Sequence, residues 1–383
     1  MVKNWLAMGL VLAAGAVSAA TVVDVTSTGV QKTPVEIKVG NAAFANSLKR
    51  NLELTGLFEV RAPGAITVSG VPGALKAEGR GKTISAISTW TDDRSARMAA
   101  RKMSDMMSEQ FGSQKGFAQD RVLFLNRGTP KTKGAPIPAE LCMCYPDGND
   151  IRQITNDGKM IIFQRWVGNT DNVICISDKN GATQIWQLNV ATGQRSVKWS
   201  FKGTPTGIAV SPDCRKVAAI LSIHGNPELY VLDMGKDTWQ RLTNTPYEVE
   251  GQPAWSPDGR KIAFVRGVNA QQIWMIDLAT RQERRLTTKG RKNVDPDWGA
   301  NGQLAYVSGA YVNVMDVAKG ESSARAVTDA AKWEHPSWSR DGRHLTASRD
   351  KALFVIDTLK DGADKPKQMF HASGNWTAPC WAK

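Results

Sequence analysis

The sequence is poor in the residues that usually carry chemistry. Its 383 residues include only four histidines and five cysteines. The histidines are scattered, without the short spacing that metal ligands show. The chain also lacks a Gly-x-Ser-x-Gly elbow followed by a histidine, which a serine hydrolase would need. We therefore expect no enzyme and no bound cofactor.

Concentrated charge is absent as well. The formal net charge is +13, but the basic residues are spread along the chain rather than gathered in one tract. Such a balance favours anionic partners in general without identifying one. Because the sequence has no basic-aromatic motif, nucleic acid is a poor candidate.

The N-terminus has the features of a secretory signal. Lys3 supplies a positive charge, residues 5–17 form an apolar run, and Ser18-Ala19-Ala20 provides a small-residue cleavage site. The apolar run is too short to anchor the chain in a membrane. We predict a signal peptide at residues 1–20 and a soluble, exported protein without a membrane span.

One stretch, residues 251–287, supplies the pattern that the rest of the chain repeats. Its three apolar runs are separated by turn residues, of which the most distinctive form Trp255-Ser256-Pro257-Asp258-Gly259. Proline presets φ for a turn and glycine accepts a positive φ, so this segment predicts a tight hairpin. The tryptophan recurs, with two weaker copies, at Trp166, Val210, Trp298, Trp338 and Trp381. The spacing of about 40 to 45 residues is that of a four-stranded propeller blade.

A second marker, an apolar run that closes on a polar residue, keeps the same register. Its copies cover residues 141–145, 185–189, 229–233, 273–277, 312–316 and 353–357. Because two independent markers agree, the sequence predicts a mainly β protein with a six-bladed β-propeller.

The first and last copies of the repeat are both incomplete. Residues 120–155 supply three strands without a Trp-bearing strand ahead of them, whereas residues 376–382 supply that strand and nothing after it. We infer that the C-terminal strand joins the first blade beside residues 121–125 and closes the ring. Closure removes the open sheet edges that invite aggregation. The predicted propeller domain spans residues 118–383.

The five cysteines cannot all pair with one another. Cys142 and Cys144 lie two apart on one predicted strand and face the same side. Cys380 lies on the closing strand of the same blade, with one strand expected between them. We expect free thiols packed as apolar groups, with one disulfide as the alternative. Cys-x-Cys without a nearby histidine pair is a weak metal site.

Residues 21–117 differ from the repeats and predict a small α/β domain. Apolar residues at four-residue spacing indicate a helix over residues 41–55 that stops at Gly56, and a second from Asp92 or Asp93 to Gly112. Short strands are predicted at residues 57–60, 66–71 and 83–88. A linker at residues 113–119 leads to the propeller.

The chain resembles the TolB family, the periplasmic propeller proteins of the Tol-Pal system. The resemblance rests on the domain order, Gly56-Leu57-Phe58, Lys115-Gly116-Phe117 and the Trp-Ser-Pro-Asp-Gly blades, and it covers nearly the whole mature chain. The small domain is shortened between Val71 and Asp92, and the second and third blades have lost most of the motif. The Trp-Ser-Pro-Asp-Gly element alone also occurs in propellers of prolyl-oligopeptidase-type peptidases.

The resemblance implies a monomeric periplasmic adaptor that supports outer-membrane integrity and cell division. It implies that the propeller mouth receives a Pal-like lipoprotein, with Trp333 and Trp376 as anchors. The alternative is that these residues only cap the blade ends. The predicted partner-binding residues are Thr204, Pro205, Thr206, Val249, Glu250, Gly251, Gln252, Asn293, Val294, Asp295, Trp333, Glu334, His335, Trp376 and Thr377, with Lys131 and Lys133 in the adjoining loop.

The family also implies that the segment after signal cleavage contacts a TolA-like inner-membrane partner. Here that segment is Thr21-Val22-Val23-Asp24-Val25, whose alternating apolar residues could add a strand to a partner sheet. The alternative is that it forms the first strand of the small domain. A second functional class, a metal-dependent polysaccharide lyase built on a propeller, also stays open.

Overall fold

The structure, a computed structural model, describes residues 32–223, 225–245, 249–267, 269–290, 292–359 and 365–382. The predicted signal peptide and the predicted TolA-binding segment, residues 21–25, lie outside this range. Of the helices described, none combines the length and the apolar character that crossing a membrane requires. The elements that precede the propeller are β1 (Thr33–Lys38), α1 (Ala42–Leu54), β2 (Phe58–Val60), β3 (Ile66–Val71), β4 (Ala74–Gly79), β5 (Lys82–Ala86) and α2 (Asp93–Gly112).

Helix α1 forms where the sequence predicts it. The Asn41 side chain caps it by accepting a hydrogen bond from the Phe44 amide at 2.8 Å. Phe44, Leu48 and Leu52 recur on one face and are fully buried against the sheet and α2. This face fixes the helix on the sheet, whose strand order is β2-β1-β3-β4-β5.

Helix α2 begins at the predicted cap, Asp92, and ends at the predicted residue, Gly112. Asp92 and Ser95 form a reciprocal capping box at its start. The left-handed residue that follows it is Ser113, with φ of 52°, which occupies the C-cap position. Strands β1 and β4 were not predicted: both alternate between more and less buried residues, but β4 contains lysine, glutamate, alanine and glycine, which are depleted in strands.

The remaining strands form six four-stranded antiparallel sheets. They are β6 (Val122–Arg127), β7 (Ala139–Cys144), β8 (Arg152–Gln153), β9 (Ile161–Trp166), β10 (Asn172–Ser177), β11 (Gln184–Asn189), β12 (Arg195–Trp199), β13 (Thr204–Val210), β14 (Lys216–Ser222), β15 (Glu228–Asp233), β16 (Thr238–Arg241), β17 (Val249–Trp255), β18 (Lys261–Arg266), β19 (Gln272–Asp277), β20 (Glu283–Arg285), β21 (Asn293–Trp298), β22 (Gln303–Ser308), β23 (Tyr311–Asp316), β24 (Arg325–Ala326), β25 (Trp333–Trp338), β26 (His344–Arg349), β27 (Ala352–Asp357), β28 (Lys367–Gln368) and β29 (Trp376–Trp381), with a 3-10 turn at Glu321–Ser323. Blades 2 to 6 are four consecutive strands each, from β9 to β28. Blade 1 has the order β29-β6-β7-β8.

The C-terminal strand closes the ring as the sequence predicts. Strand β29 pairs antiparallel with β6, and Trp381 lies opposite Val122. Trp381 is 1% exposed and packs edge-on against Phe117 of the linker. The six-bladed propeller with a C-terminal closing strand is therefore confirmed.

The two repeat markers have local physical causes. In the hairpin after β17, the Ser256 hydroxyl donates to Asp258 at 2.6 Å and accepts from the Lys261 amide at 2.9 Å, while Gly259 has φ of 67°. The aspartate that closes β19, Asp277, accepts from two amides of the following turn. The recurring serine, aspartate and glycine therefore hold turns, and the tryptophan and apolar runs fill the cores.

All five cysteines are free thiols. Strand β6 lies between Cys142 and Cys144 on β7 and Cys380 on β29, as predicted. Burial raises the pKa of the Cys142 and Cys175 thiols to about 12, so these groups behave as apolar packing. The predicted domain bounds, 21–117 and 118–383, stay a prediction, since Lys32–Lys383 forms one unit.

Candidate functional site

The six innermost strands define two ends of the ring. Strands β9, β13, β17, β21, β25 and β29 contact one another around the axis. We call the end where they begin the mouth end, and the end where they finish and turn into the next strand the turn end. The predicted partner-binding residues lie on the first residues of five of these strands. Loop 128–138, with exposed Lys131 and Lys133, leaves β6 at the mouth end, because Asn126 pairs with Trp376.

A left-handed residue recurs in the inner strands near the mouth end. Phe163, Gly251, Asp295, His335 and Ala378 have φ between 50° and 74°. Where these strands meet their neighbours, the pairing register shifts, as in a β-bulge. Such bulges re-aim side chains, and a left-handed conformation in a residue other than glycine is costly unless the surrounding structure holds it. The same β-bulge, with a left-handed residue, thus recurs in the inner strands near the mouth end.

The bulged residues are joined across blades. The Asp295 carboxylate accepts the His335 amide hydrogen at 3.1 Å, which links blades 5 and 6. The Gln164 side-chain amide donates to the Ala378 carbonyl, which links blades 2 and 1. Within the described part of the chain, Nδ1 of His335 is buried and has no hydrogen-bond partner. These links tie two pairs of neighbouring inner strands together at the mouth end.

Trp333 and Trp376 are already buried by the chain itself. They are 2% and 8% exposed. The Trp333 indole donates to the Asp329 carbonyl at 3.0 Å, and the Trp376 indole to the Ala372 carbonyl at 2.9 Å. Phe354 packs edge-on against Trp333. Both rings therefore support the blade ends and leave little surface for a partner.

The other predicted residues divide by burial. Gln252, Asn293 and Thr377 are buried, and the Asn293 amide donates to the Gln272 side chain at 3.0 Å. Pro205 is buried as well, and the side chains of Val249 and Glu250 lie outside the described set. The accessible members at the mouth end are Thr204, Thr206, Gly251, Val294, Asp295, Glu334 and His335, with Lys131 and Lys133 beside them.

The sequence analysis missed two of the five bulged positions as site residues, Phe163 and Ala378. Both lie three residues before an inner-strand tryptophan, as Asp295 and His335 do. Counting back from Trp166 would have found Phe163, although blade 2 lacks the rest of the motif.

The analysis also missed the junction between the small domain and blade 1. Arg101 of α2 is fully buried and pairs with Asp147 through contacts of 3.0 and 3.1 Å. Its guanidinium lies 3.9 Å from the centre of the Tyr145 ring and 2.8 Å from Asp150. Burial raises the pKa of Asp150, but hydrogen bonds from Arg97 and Arg101 outweigh it, so the pKa lies below its ordinary value. The Tyr-Pro-Asp-Gly turn that carries Asp147 was the available signal.

The linker is anchored by a second buried acid. Asp105 of α2 accepts from the Ala118 amide at 2.7 Å and from the Gln119 amide and side chain at 3.1 and 2.9 Å. A Cβ on Gly116 would lie 2.4 Å from an Asp105 oxygen, so only glycine fits there. This contact explains the Lys-Gly-Phe segment physically.

Residues 108–383 match the family model described as the TolB beta propeller domain. This chain belongs to the TolB β-propeller family. Among solved structures it is similar to TolB from Acinetobacter baumannii, with a TM-score of 0.75, 20% identity, and coverage of 92% of this chain and 97% of that one. It is also similar to a candidate TolB from Agrobacterium tumefaciens, with a TM-score of 0.51, 17% identity, and coverage of 67% and 90%. At these identities the structural likenesses show the fold alone.

The TolB-type propeller fold also occurs outside the family. A chain of a nidogen/laminin complex matches with a TM-score of 0.55 at 14% identity, covering 69% of this chain and 98% of that one. Function must therefore be argued from the site. In the described part of the TolB-family chain, no cluster of three or more His, Cys, Asp or Glu side chains is arranged to hold a metal ion.

Proposed function

We propose that this protein is a periplasmic adaptor of the Tol-Pal envelope complex and that it performs no catalysis. It binds a Pal-like lipoprotein at the mouth end and a TolA-like partner through residues 21–25, and so supports outer-membrane integrity and cell division. Family membership supports the Tol-Pal role. The predicted signal at residues 1–20 supports export to the periplasm.

The observation that carries the mouth-end assignment is the ring of bulged residues. Asp295 and His335 are half-buried, held in fixed positions by the hydrogen bond between them, and flanked by half-buried Glu334. Preorganised groups of this kind lose little conformational entropy when a partner binds. Buried Trp333 and Trp376 keep the strand ends rigid from beneath.

The test is a binding measurement with a mouth-end double variant, Glu334→Ala with His335→Gly. Glycine suits His335 because its φ is 53°, so the substitution removes the side chain without adding backbone strain. By calorimetry with the soluble domain of a Pal-like lipoprotein, we expect binding about tenfold weaker, equal to about 1.4 kcal/mol. Arg260→Ala, an exposed position in a turn-end hairpin, is the matched control and should bind as the wild type does. Equal affinity of the double variant would place the interface elsewhere.

Removing residues 21–25 tests the second surface. Binding to a TolA-like domain should be lost, while binding to the Pal-like domain stays. If the two surfaces are coupled, TolA affinity measured with and without the Pal-like domain will differ. A TolA affinity that the deletion leaves unchanged would remove residues 21–25 from the proposal. A TolA affinity that the Pal-like domain leaves unchanged would remove the coupling.

A further inference from the structure

The turn end of the ring holds a cavity that is separate from the predicted partner-binding residues. Its volume is about 230 Å³, and it is lined by residues near the ends of the inner strands of all six blades. None of the predicted mouth residues lines it. It therefore requires its own explanation.

The walls of this cavity are mainly aromatic and apolar. They include Trp166, Trp255, Trp298 and Trp381. Three of these indoles are held by hydrogen bonds to carbonyls: Trp255 to Ala209 at 3.2 Å, and Trp166 to Cys380 and Trp298 to Gly302, each at 3.3 Å. These rings are at most 7% exposed, so they form a fixed backing, and residues such as Pro212 and Pro257 supply accessible apolar surface in front of it.

One cation lies in this wall. Arg165 is half-buried and lines the cavity. Its Nη1 donates to the Gln164 carbonyl at 2.8 Å, and no carboxylate of the described residues forms an ion pair with it. A guanidinium beside low-dielectric walls attracts an anion more strongly than one in water, and its planar fork suits a carboxylate.

Ser211, Ser337 and Asp297 also line the cavity, and the Ser211 hydroxyl donates to Asp213. Ser337 is 6% exposed, and its hydroxyl oxygen accepts the Trp381 amide hydrogen at 3.1 Å, which leaves its O–H available as a donor. The one acid in the lining is Asp297, on blade 5, and one of its oxygens accepts the Trp338 amide hydrogen at 2.7 Å. The fixed apolar wall and the unpaired cation thus select an apolar group that carries a negative charge.

We propose that the turn-end cavity binds a small organic carboxylate that carries an aromatic ring, comparable in size to a single N-acylated amino acid. The carboxylate pairs with Arg165, and the ring packs against the accessible apolar residues of the wall, such as Pro212 and Pro257. The volume of about 230 Å³ is smaller than the roughly 300–1,000 Å³ of drug-sized sites, which limits the occupant to a small molecule. None of the residues proposed to bind the Pal-like partner lines this cavity.

The test compares three probes on the mature protein by calorimetry. N-acetyl-L-phenylalanine carries both the ring and the carboxylate, its amide lacks the charge, and N-acetyl-L-alanine lacks the ring. We expect N-acetyl-L-phenylalanine to bind about tenfold more tightly than either of the other probes. Absence of binding, or equal binding of the acid and the amide, would overturn the proposal.

Variants then locate the bound probe. Arg165→Gln should weaken binding of N-acetyl-L-phenylalanine about tenfold, to the level of the neutral amide, and Arg165→Lys should recover part of it. Arg215→Gln, an exposed arginine in a turn-end hairpin that does not line the cavity, is the control and should bind normally. Binding that is unaffected by Arg165→Gln would also overturn the proposal.

The alkylation rate of Cys214 in the wild-type protein tests the same site without relying on a variant that has to fold correctly. Cys214 lines the cavity and is the one half-buried cysteine, whereas the other four are buried. Bound N-acetyl-L-phenylalanine should slow alkylation of Cys214 by iodoacetamide, and the amide at the same concentration should not. Alkylation at the same rate with either probe would place the ligand outside the cavity.

Discussion

Asp120 is the residue whose protonation state most directly affects the contact between the linker and the propeller. It is 4% exposed and forms an ion pair with Arg340 of blade 6. Burial raises its pKa to about 7, against the attraction of Arg340, and the nearby Asp105 and Asp341 carboxylates raise it further. Between its ordinary pKa of 3.8 and about 7, the folded protein therefore binds more protons here than the unfolded chain does. The stability that this group contributes is present at low pH and is lost as pH rises through about 7.

Asp120→Asn should flatten the dependence of stability on pH over that window. Asparagine cannot ionise, so the loss of stability between pH 3.8 and about 7 should be smaller than in the wild type. Urea unfolding at a series of pH values measures this. Asp171→Asn, at a more exposed acid that pairs with Arg121, serves as the control. Parallel profiles for the wild type and Asp120→Asn would contradict the role given to this carboxyl.

At the scale of elements, the ring depends on how well β29 is held. Trp381 on this strand is 1% exposed and lies in the core that blade 1 shares with the linker and blade 6. Trp239, on the outermost strand of blade 3, is half-buried and contacts Trp199 and Phe201. The same residue type thus occurs at the closure point and on the rim, which offers a direct comparison.

Trp381→Ala should destabilise the protein by about 3–5 kcal/mol, the cost of a large cavity in a core. Trp239→Ala should cost clearly less, because its ring keeps part of its surface in water. Chemical denaturation of both variants measures the difference in the free energy of unfolding. Equal losses would mean that closure by β29 adds nothing beyond ordinary packing.

Elements with a strong local signal were predictable from the sequence. The Ser-Pro-Asp-Gly hairpin after β17 and the Asp92 cap of α2 rest on neighbouring residues, so a short window is sufficient to find them. The Arg101 and Asp147 ion pair joins positions that are 46 residues apart, so the local Tyr-Pro-Asp-Gly turn marks Asp147 without showing which residue it meets. The left-handed conformation of Phe163 depends on the blades around it and contradicts the preference of its own residue type.

At the scale of the whole molecule, the buried contact between Arg101 and Asp147 holds the small domain against blade 1. The Arg101 and Asp147 side chains are fully buried, and Ser47 of α1 adds a hydrogen bond of 2.6 Å to the same carboxylate. Loss of one partner from such a group leaves an uncompensated buried charge. The cores among blades 2 to 6 contain no residue of the small domain, whereas the core of blade 1 also includes Leu54 of α1.

Arg101→Met should therefore loosen the small domain while the propeller stays folded. We expect a loss of about 3–5 kcal/mol in the contact between them. Limited proteolysis should then cleave the linker at residues 113–119 faster than in the wild type. Lys76→Met, which removes an exposed ion pair with Glu78, should behave as the wild type does. A linker that is equally protected in Arg101→Met would show that the ion pair does not hold the two parts together.

Closure of the ring by β29 also has a consequence for folding kinetics. Arg127 and Thr377, which meet across this closure, are 250 positions apart in the sequence. Pairing between such distant segments is slow, because the entropy of closing a long loop is lost before the contact forms. Until β29 pairs with it, β6 has an open edge, and the strands of blades 2 to 6 all precede β29 in the sequence. The unpaired edge of the first blade is thus open to misassociation until the C-terminal strand is in place.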